Sequence, residues 1–406
     1  MKNFFRIVIC GAAIVAATAC SSKGSPTPPP GPVQTTVLVY MAADNSLGVQ
    51  LEDSTDIREM QAAARAGELN GGRLLIYHKG YRTSASLSEI KADGKIVRLH
   101  EYGDDGLTSV HSARMARVLA DARAAAPATH FGVVLWSHGD GWLQNGLEED
   151  EQAKKGKSAS MPAGAGGVST LHKPEVAGFG SEGGRKMKVS TLATVLGNSG
   201  PIDFVYFDCC YMANVEVAYE MRNVTPVIAG SAIELPAEGM PYDKTLHYFF
   251  ADGEPDIVNA ARTTFSHFDT MTGEDRTCAM TVINTAGLPE LASVTRKVYE
   301  IAAAPVPGNY RPQRYQVSSQ CMFYDLADYV TALAADANAP SLAGEWRTAF
   351  DGCITYAAAT PFLWNRVALD RHNGLSTMIL ASAADIKAKK YDTLQWYADV
   401  ASAIKF

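Results

Sequence analysis

The sequence predicts an α/β fold, a mainly parallel sheet with helices on both faces. Three observations predict it. Residues 36–41, 131–135 and 202–207 are short runs, apolar nearly throughout, as expected of strands buried on both faces. Stretches of helical spacing separate them, which argues for strand–helix–strand crossovers. Two of the runs lead straight into residues that carry chemistry, Trp136-Ser137-His138-Gly139-Asp140-Gly141-Trp142 and Phe207-Asp208-Cys209-Cys210-Tyr211-Met212-Ala213-Asn214. Open α/β sheets hold their ligands at such carboxyl ends.

Taken in chain order, residues 1–19 read as a targeting signal. Lys2 and Arg6 open it, and residues 7–15 form an apolar stretch too short to span a bilayer. Ala17-Thr18-Ala19-Cys20, followed by Ser21-Ser22, resembles a bacterial lipobox. Cys20 would then carry lipid and anchor an exported protein in the cell envelope, on the periplasmic side or the surface. An ordinary secretory signal, releasing the protein, is the alternative. Residues 20–35 make up the lipidated end and a tether, whose prolines at 25–32 favour an extended chain and forbid helix.

The domain expected over 36–250 begins with the strand at 36–41. Ala42-Ala43-Asp44-Asn45-Ser46 follows as a turn capping a helix to about Ala64. Residues 73–78 read as the second strand, 96–100 as an edge strand, and 110–126 as a helix stopped by Pro127. Beyond the histidine motif, residues 147–188 are rich in Gly, Ala, Ser and Lys without apolar period. They read as a long mobile excursion, and such loops tend to be functional. A helix at 190–196, the strand at 202–208, a helix at 212–221 and a strand at 226–231 complete the domain. Residues 251–406 read as a smaller, mainly helical region, with helices at 255–268, 288–303, 324–335 and 342–358 and one strand at 374–381.

Composition narrows the function. With 406 residues, 47% hydrophobic and 19% charged, the chain is globular and can bury a large core. A net charge of −7 without any long basic segment argues against nucleic acid as a partner. Of the 7 cysteines, Cys10 leaves with the signal and Cys20 is the lipid site; Cys209, Cys210, Cys278, Cys321 and Cys353 remain. That odd, irregular set argues against a disulfide framework. No Cys-x-x-Cys or His-x-x-x-His spacing marks a metal site among them.

A histidine and a cysteine at neighbouring strand ends are the pair that thiol nucleophilic catalysis needs. Strand alternation puts Asp208 and Cys210 on one side and Cys209 on the other, which favours Cys210 as nucleophile. A helix starting just behind the cysteine strand would lower the thiol's pKa. The N–H groups of Gly139 and Cys210 are candidates for an oxyanion hole. A buried Asp208 would be costly without a cation, and a substrate Arg or Lys is one.

At these residues the chain resembles the clostripain family of cysteine peptidases, in the caspase-like clan. The histidine motif matches at Trp136-Ser137-His138-Gly139 with Gly141-Trp142, and the cysteine motif at Asp208-Cys209-Cys210-Tyr211-Met212-Ala213. Tyr40-Met41-Ala42-Ala43-Asp44-Asn45, Glu234 with Pro236, Gly239-Met240-Pro241-Tyr242-Asp243 and Tyr324-Asp325-Leu326 match further. The resemblance implies a caspase-like fold and an endopeptidase cutting after Arg, or after Lys. It implies that Cys210 attacks, His138 transfers protons and Asp208 recognises the basic side chain. It also implies maturation by cleavage between the two strands, where Lys154, Lys155, Lys157, Lys173 and Arg185, with Lys186 and Lys188, are the basic residues. Calcium stays open, because no calcium loop is recognisable; no cofactor is otherwise expected.

Two other readings stand beside this one. One keeps the fold and changes the specificity to Asn or Asp. The other is a catalytically silent envelope lipoprotein that binds peptides or glycans.

Overall fold

The computed structural model describes residues 32–143, 147–148, 178–302, 310–318 and 322–406. The expected signal, Cys20, most of the tether, Cys321 and residues 149–177 of the long segment lie outside these.

The apolar runs become the middle of a large sheet. Strands β1 (Val33–Ala42), β2 (Arg73–Lys79), β5 (Ala128–Trp136), β9 (Phe204–Asp208) and β10 (Val227–Gly230) pair in parallel in the order β10-β9-β5-β1-β2. Antiparallel strands extend both edges: β3 (Ala85–Ile90) and β4 (Ile96–Tyr102) beyond β2, β11 (Ala279–Asn284) and β13 (Ile354–Ala359) beyond β10. The result is a nine-stranded sheet.

Alternation along the strands sorts the core into two layers. Leu38, Tyr40, Val133, Leu135, Val205 and Phe207 face one side, under α3 (Ser112–Ala125), α4 (Val189–Gly197) and α5 (Val215–Glu220). Val37, Val39, Met41, Val134, Trp136, Phe204 and Tyr206 face the other, under α2 (Glu52–Arg65), α6 (Tyr242–Phe249) and α7 (Ile257–Asp269). The fold is therefore caspase-like α/β, as the sequence predicts. Because the middle strands carry apolar side chains on both faces, they are stable only between two helical layers.

Helices α8 (Leu288–Ile301), α9 (Leu326–Asp336), α10 (Pro340–Cys353), α11 (Ala383–Ala388) and α12 (Gln395–Asp399) come from the residues beyond 250. Residues beyond 250 also supply two strands of the central sheet, and both core layers draw on them. The expected helix at 342–358 ends at Cys353, because residues 354–359 pair antiparallel with β11. The expected strand at 374–381 is short, β16 (Ser376–Met378), and pairs with β12 (Phe323–Asp325) outside the main sheet.

Two local readings change. The single helix expected up to Ala64 is broken at Leu51, whose φ of 66° is left-handed, into α1 (Ser46–Val49) and α2. The described ends of the segment expected at 147–188 carry strands. Residues 178–188 carry β7 (Phe179–Glu182) and β8 (Arg185–Met187), which form a small sheet with β6 (Leu147–Glu148). Phe179 and Met187 are buried there, so this end is packed rather than mobile.

Candidate active site

Register brings the two motifs together. Trp136 at the end of β5 pairs with Asp208 at the end of β9, and His138 and Cys210 each follow their paired residue by two positions. The loops beyond the strands interlock at glycines. A β-carbon on Gly139 would lie 2.4 Å from the Cys210 carbonyl oxygen and 3.1 Å from Cys209 Sγ. One on Gly141, whose φ is +67°, would lie 2.5 Å from Asn214 Nδ2 and 3.1 Å from the Tyr211 carbonyl oxygen. Glycine at both positions lets the histidine loop lie against the cysteine loop.

The chain reverses directly after Cys210. Tyr211 takes a left-handed φ of 60°, costly for a tyrosine, and three contacts hold it there. Its N–H donates to the Ile233 carbonyl (3.1 Å), its carbonyl accepts from Asn214 Nδ2 (2.6 Å) and its hydroxyl donates to Glu234 (2.7 Å). Asn214 then caps α5 through Val217 N–H at 3.0 Å. The helix expected from residue 212 thus starts at Val215, and it is six residues long.

That later start bears on the thiol. Cys210 is partly exposed, and its sulfur accepts from Leu235 N–H (3.3 Å) and faces the Leu235 carbonyl (3.8 Å). Burial and the nearby Glu234 carboxylate push this thiol up to about 12, against the smaller pull of the Leu235 N–H. The acidified thiol expected from a helix N-terminus is therefore not what this form holds. Cys209 is buried on the face of Val205 and Phe207, and burial raises its pKa too.

His138 is half-buried, and its Nε2 lies 2.8 Å from Ser46 Oγ. Its backbone is held by a bridge to β7: Gly180 N–H donates to the His138 carbonyl (2.9 Å) and Asp140 N–H to the Gly178 carbonyl (3.2 Å). Asp140 is also paired with the buried Lys186. No described group accepts from the N–H of Gly139 or of Cys210.

Asp208 is buried on the face opposite Cys209, and neutral donors meet both its oxygens. Met240 N–H reaches Oδ1 and the Tyr242 hydroxyl reaches Oδ2, each at 2.9 Å. Gly239, at φ +65°, lets this loop close, since a β-carbon there would sit 2.9 Å from Oδ1. Among the described residues no Lys or Arg pairs with Asp208, and burial raises its carboxyl above the ordinary range against those two hydrogen bonds. On α2, Asp56 is buried as well and accepts from Trp136 Nε1 at 2.6 Å; burial raises it, with Asp208 adding to the effect.

Of the basic residues expected as cleavage points, Lys154, Lys155, Lys157 and Lys173 lie outside the described residues. Arg185 sits in β8, beside the buried Lys186. Cys209, Cys210, Cys278 and Cys353 are free thiols. Among the described residues no group of three or more His, Cys, Asp or Glu is arranged to hold a metal ion.

Sequence reasoning missed Met240 and Tyr242 as partners of Asp208, although their motif was visible. It also missed Ser46, Asn45 and Asp56. Asp53 and Asp56 are buried on α2, and two acids at helical spacing beside apolar residues were the available signal.

A model of the clostripain family matches residues 39–156 and 170–359, well over half the chain. No curated protein matches it. Three solved structures share the fold. A secreted C11 cysteine protease from Bacteroides thetaiotaomicron, "iotapain", is 21% identical over 91% of this chain and 100% of its own, with a TM-score of 0.74. An inactive zymogen C11 protease from Parabacteroides distasonis is 26% identical over 91% of this chain and 99% of its own, at TM-score 0.72. A secreted C11 protease from Bacteroides thetaiotaomicron, in complex with an irreversible peptide inhibitor, is 24% identical over 90% and 99%, at TM-score 0.71.

Proposed function

Because the chain belongs to the clostripain family and is a cysteine peptidase, we propose that it cuts peptide bonds after Arg or Lys, with Cys210 as nucleophile and His138 as the proton-transfer group. The observation that carries this reading is the register of β5 on β9, with Trp136 opposite Asp208 and the two loops in backbone contact. It brings together a histidine, a thiol and two amides at the carboxyl ends of parallel strands.

In the proposed chemistry the sulfur of Cys210 attacks the scissile carbonyl carbon as its proton passes to His138. The oxygen that gains negative charge is met by the N–H groups of Gly139 and Cys210. His138 then gives its proton to the leaving amine, and a thioester remains. Water, deprotonated by the same imidazole, hydrolyses it and regenerates the thiol. Burial and the Glu234 carboxylate raise the thiol, and transfer of its proton to His138 as the sulfur attacks offsets this.

Specificity follows from Asp208. Among the described residues this buried carboxylate meets Tyr242 and Met240 and no cation, and a substrate guanidinium or ammonium would supply one. An acidic side chain would be repelled there.

For maturation by self-cleavage within residues 147–188, the support beside the basic residues of that segment is a relative of 26% identity described as an inactive zymogen. Arg185 is paired in β8, so cutting beside it would require that ladder to open. That favours Lys154, Lys155, Lys157 or Lys173. The N-terminal residues support export, with Cys20 as the lipid anchor to the envelope membrane.

Hydrolysis of otherwise identical Arg, Lys, Asn and Asp peptides by wild type and by Cys210→Ala tests the reading. Cleavage confined to Arg and Lys peptides, and lost in the variant, is expected. Preferred cleavage after Asn or Asp would overturn the specificity, and activity in the variant would overturn the nucleophile.

A further inference from the structure

We propose that Ser46 is a positioning residue for His138, holding the imidazole through Nε2 while Nδ1 takes and gives the proton. The inference rests on the reading of His138 as the proton-transfer group.

Ser46 opens helix α1 on the turn that follows the central strand β1, and its Oγ stands 2.8 Å from His138 Nε2. The contact joins two segments 92 residues apart, and the turn presenting it is fixed from several sides. Asn45 caps α1 by accepting from Leu47 N–H (2.9 Å). Its Nδ2 donates to the carbonyls of Ala42 (2.8 Å) and Ser181 (2.9 Å) and reaches Ser137 Oγ (3.3 Å). Ser137, the neighbour of His138, donates in turn to the Ala42 carbonyl at 2.7 Å. Gly48 lets α1 fold back on the turn, since a β-carbon there would lie 1.9 Å from the Ala43 carbonyl oxygen. Ser46 is thus exposed to solvent yet mounted on a framework shared with the histidine loop.

The chemistry of a hydroxyl suits this place. It accepts from Nε2–H in the neutral ring and in the imidazolium alike, which leaves the Nδ1 lone pair to take the proton. Being uncharged, Ser46 keeps the bond in both protonation states and favours neither strongly. A carboxylate there would only accept, and would hold the ring charged. Among the described residues, two acids of the flanking turns face cations: Asp44 pairs with Lys79 at 2.6 Å, and Asp140 with Lys186. On β7, Glu182 is buried and accepts from Ser109 N–H at 2.6 Å.

The test compares the full chain with Ser46→Ala, Ser46→Thr, Ser46→Asp and His138→Ala, reading kcat and KM on an Arg peptide across pH together with the thermal midpoint. Ser46→Ala should lower kcat about 5- to 30-fold, the worth of one hydrogen bond to a group that becomes charged, with KM nearly unchanged. Ser46→Thr, which keeps the hydroxyl, should restore the rate. Ser46→Asp should move the limb of the profile set by His138 to higher pH, an effect that simple loss of packing would not produce. If His138→Ala is inactive while the Ala and Asp variants keep the wild-type rate and profile, the role of Ser46 is wrong and that of His138 stands. If His138→Ala keeps its activity, the parent reading fails first.

Discussion

The carbonyl oxygen of Cys210 stands 2.4 Å from the point that a β-carbon on Gly139 would occupy. Both atoms belong to the backbone framework of the two motif loops, so neither can yield as a flexible side chain would. Gly139→Ala should therefore force the loops apart. Overpacking of this kind costs about 1–3 kcal/mol of stability. A shift of about 1 Å at a catalytic pair costs about 100-fold in rate. Thermal melting and kcat/KM on the same preparation check both; a variant of wild-type activity would mean that the contact is not needed.

The pocket reading predicts that Asp208→Asn weakens cleavage after Arg. A buried charge-assisted contact is worth roughly 2–5 kcal/mol, so kcat/KM should fall tens-fold or more. Since burial raises the Asp208 carboxyl, wild-type cleavage of Arg peptides should also decline with falling pH earlier than an ordinary carboxylate would dictate. Steady-state kinetics across pH on both proteins measure this. Unchanged Arg kinetics in the variant would put the pocket elsewhere.

Much of this arrangement was legible in the sequence. The middle strands declared themselves because burial on both faces demands unbroken apolar runs, and the site because chemistry sits at their ends. What was not legible depended on tertiary pairing. Residues 354–359 look like the tail of an alanine-rich helix until β11 offers a ladder. Residues 85–88 alternate Ala-Ser-Leu-Ser, but Glu89 and Ile90 break the period, so the strand shows only once it pairs with its neighbours. Tyr242 reaches Asp208 across 34 residues, so a visible motif gave no hint of its partner. Ser46 reads as a helix-start residue, and its bond to His138 exists only because β1 lies beside β5.

Behind the cysteine strand, Glu216 on α5 ties down the C-terminal region. Its Oε1 accepts from Thr377 Oγ1 (2.8 Å), Met378 N–H (3.1 Å) and the Tyr391 hydroxyl (2.8 Å), while Oε2 meets no partner among the described residues. Burial raises this carboxyl, against hydrogen bonds that lower it. The folded state therefore holds the proton more tightly than the unfolded one. That contribution is present in full below the ordinary carboxylate range, near pH ~4, and is lost as the pH rises through the raised folded value. Glu216→Gln keeps an acceptor and cannot ionise, so its stability relative to wild type should improve from pH 5 to pH 8. Glu216→Ala strands the donors and should cost about 1–3 kcal/mol. Denaturant unfolding at both pH values is the check; a Gln variant with no pH-dependent difference would contradict it.

Self-processing predicts that purified wild type converts to two fragments while Cys210→Ala stays whole, with the new N-terminus following a Lys or Arg. The fragments should remain associated. β5 and β9, from opposite sides of the cut, pair within the central sheet, and β6 pairs with β8 across the processed segment. Gel electrophoresis, size-exclusion chromatography and N-terminal sequencing follow it. Cutting of the alanine variant at the same bond in a protease-free preparation would make the cleavage foreign.

In the proposed mechanism Cys210 attacks substrates with a basic residue before the scissile bond. Peptide mass spectrometry after reaction with a peptidyl-arginine chloromethyl ketone, on wild type, Cys209→Ala and Cys210→Ala, reads this at the sulfur itself. Label is expected on Cys210 in wild type and in Cys209→Ala, which should keep most of its activity, and none in Cys210→Ala. Label confined to Cys209, or equal labelling by a peptidyl-aspartate reagent, would contradict it.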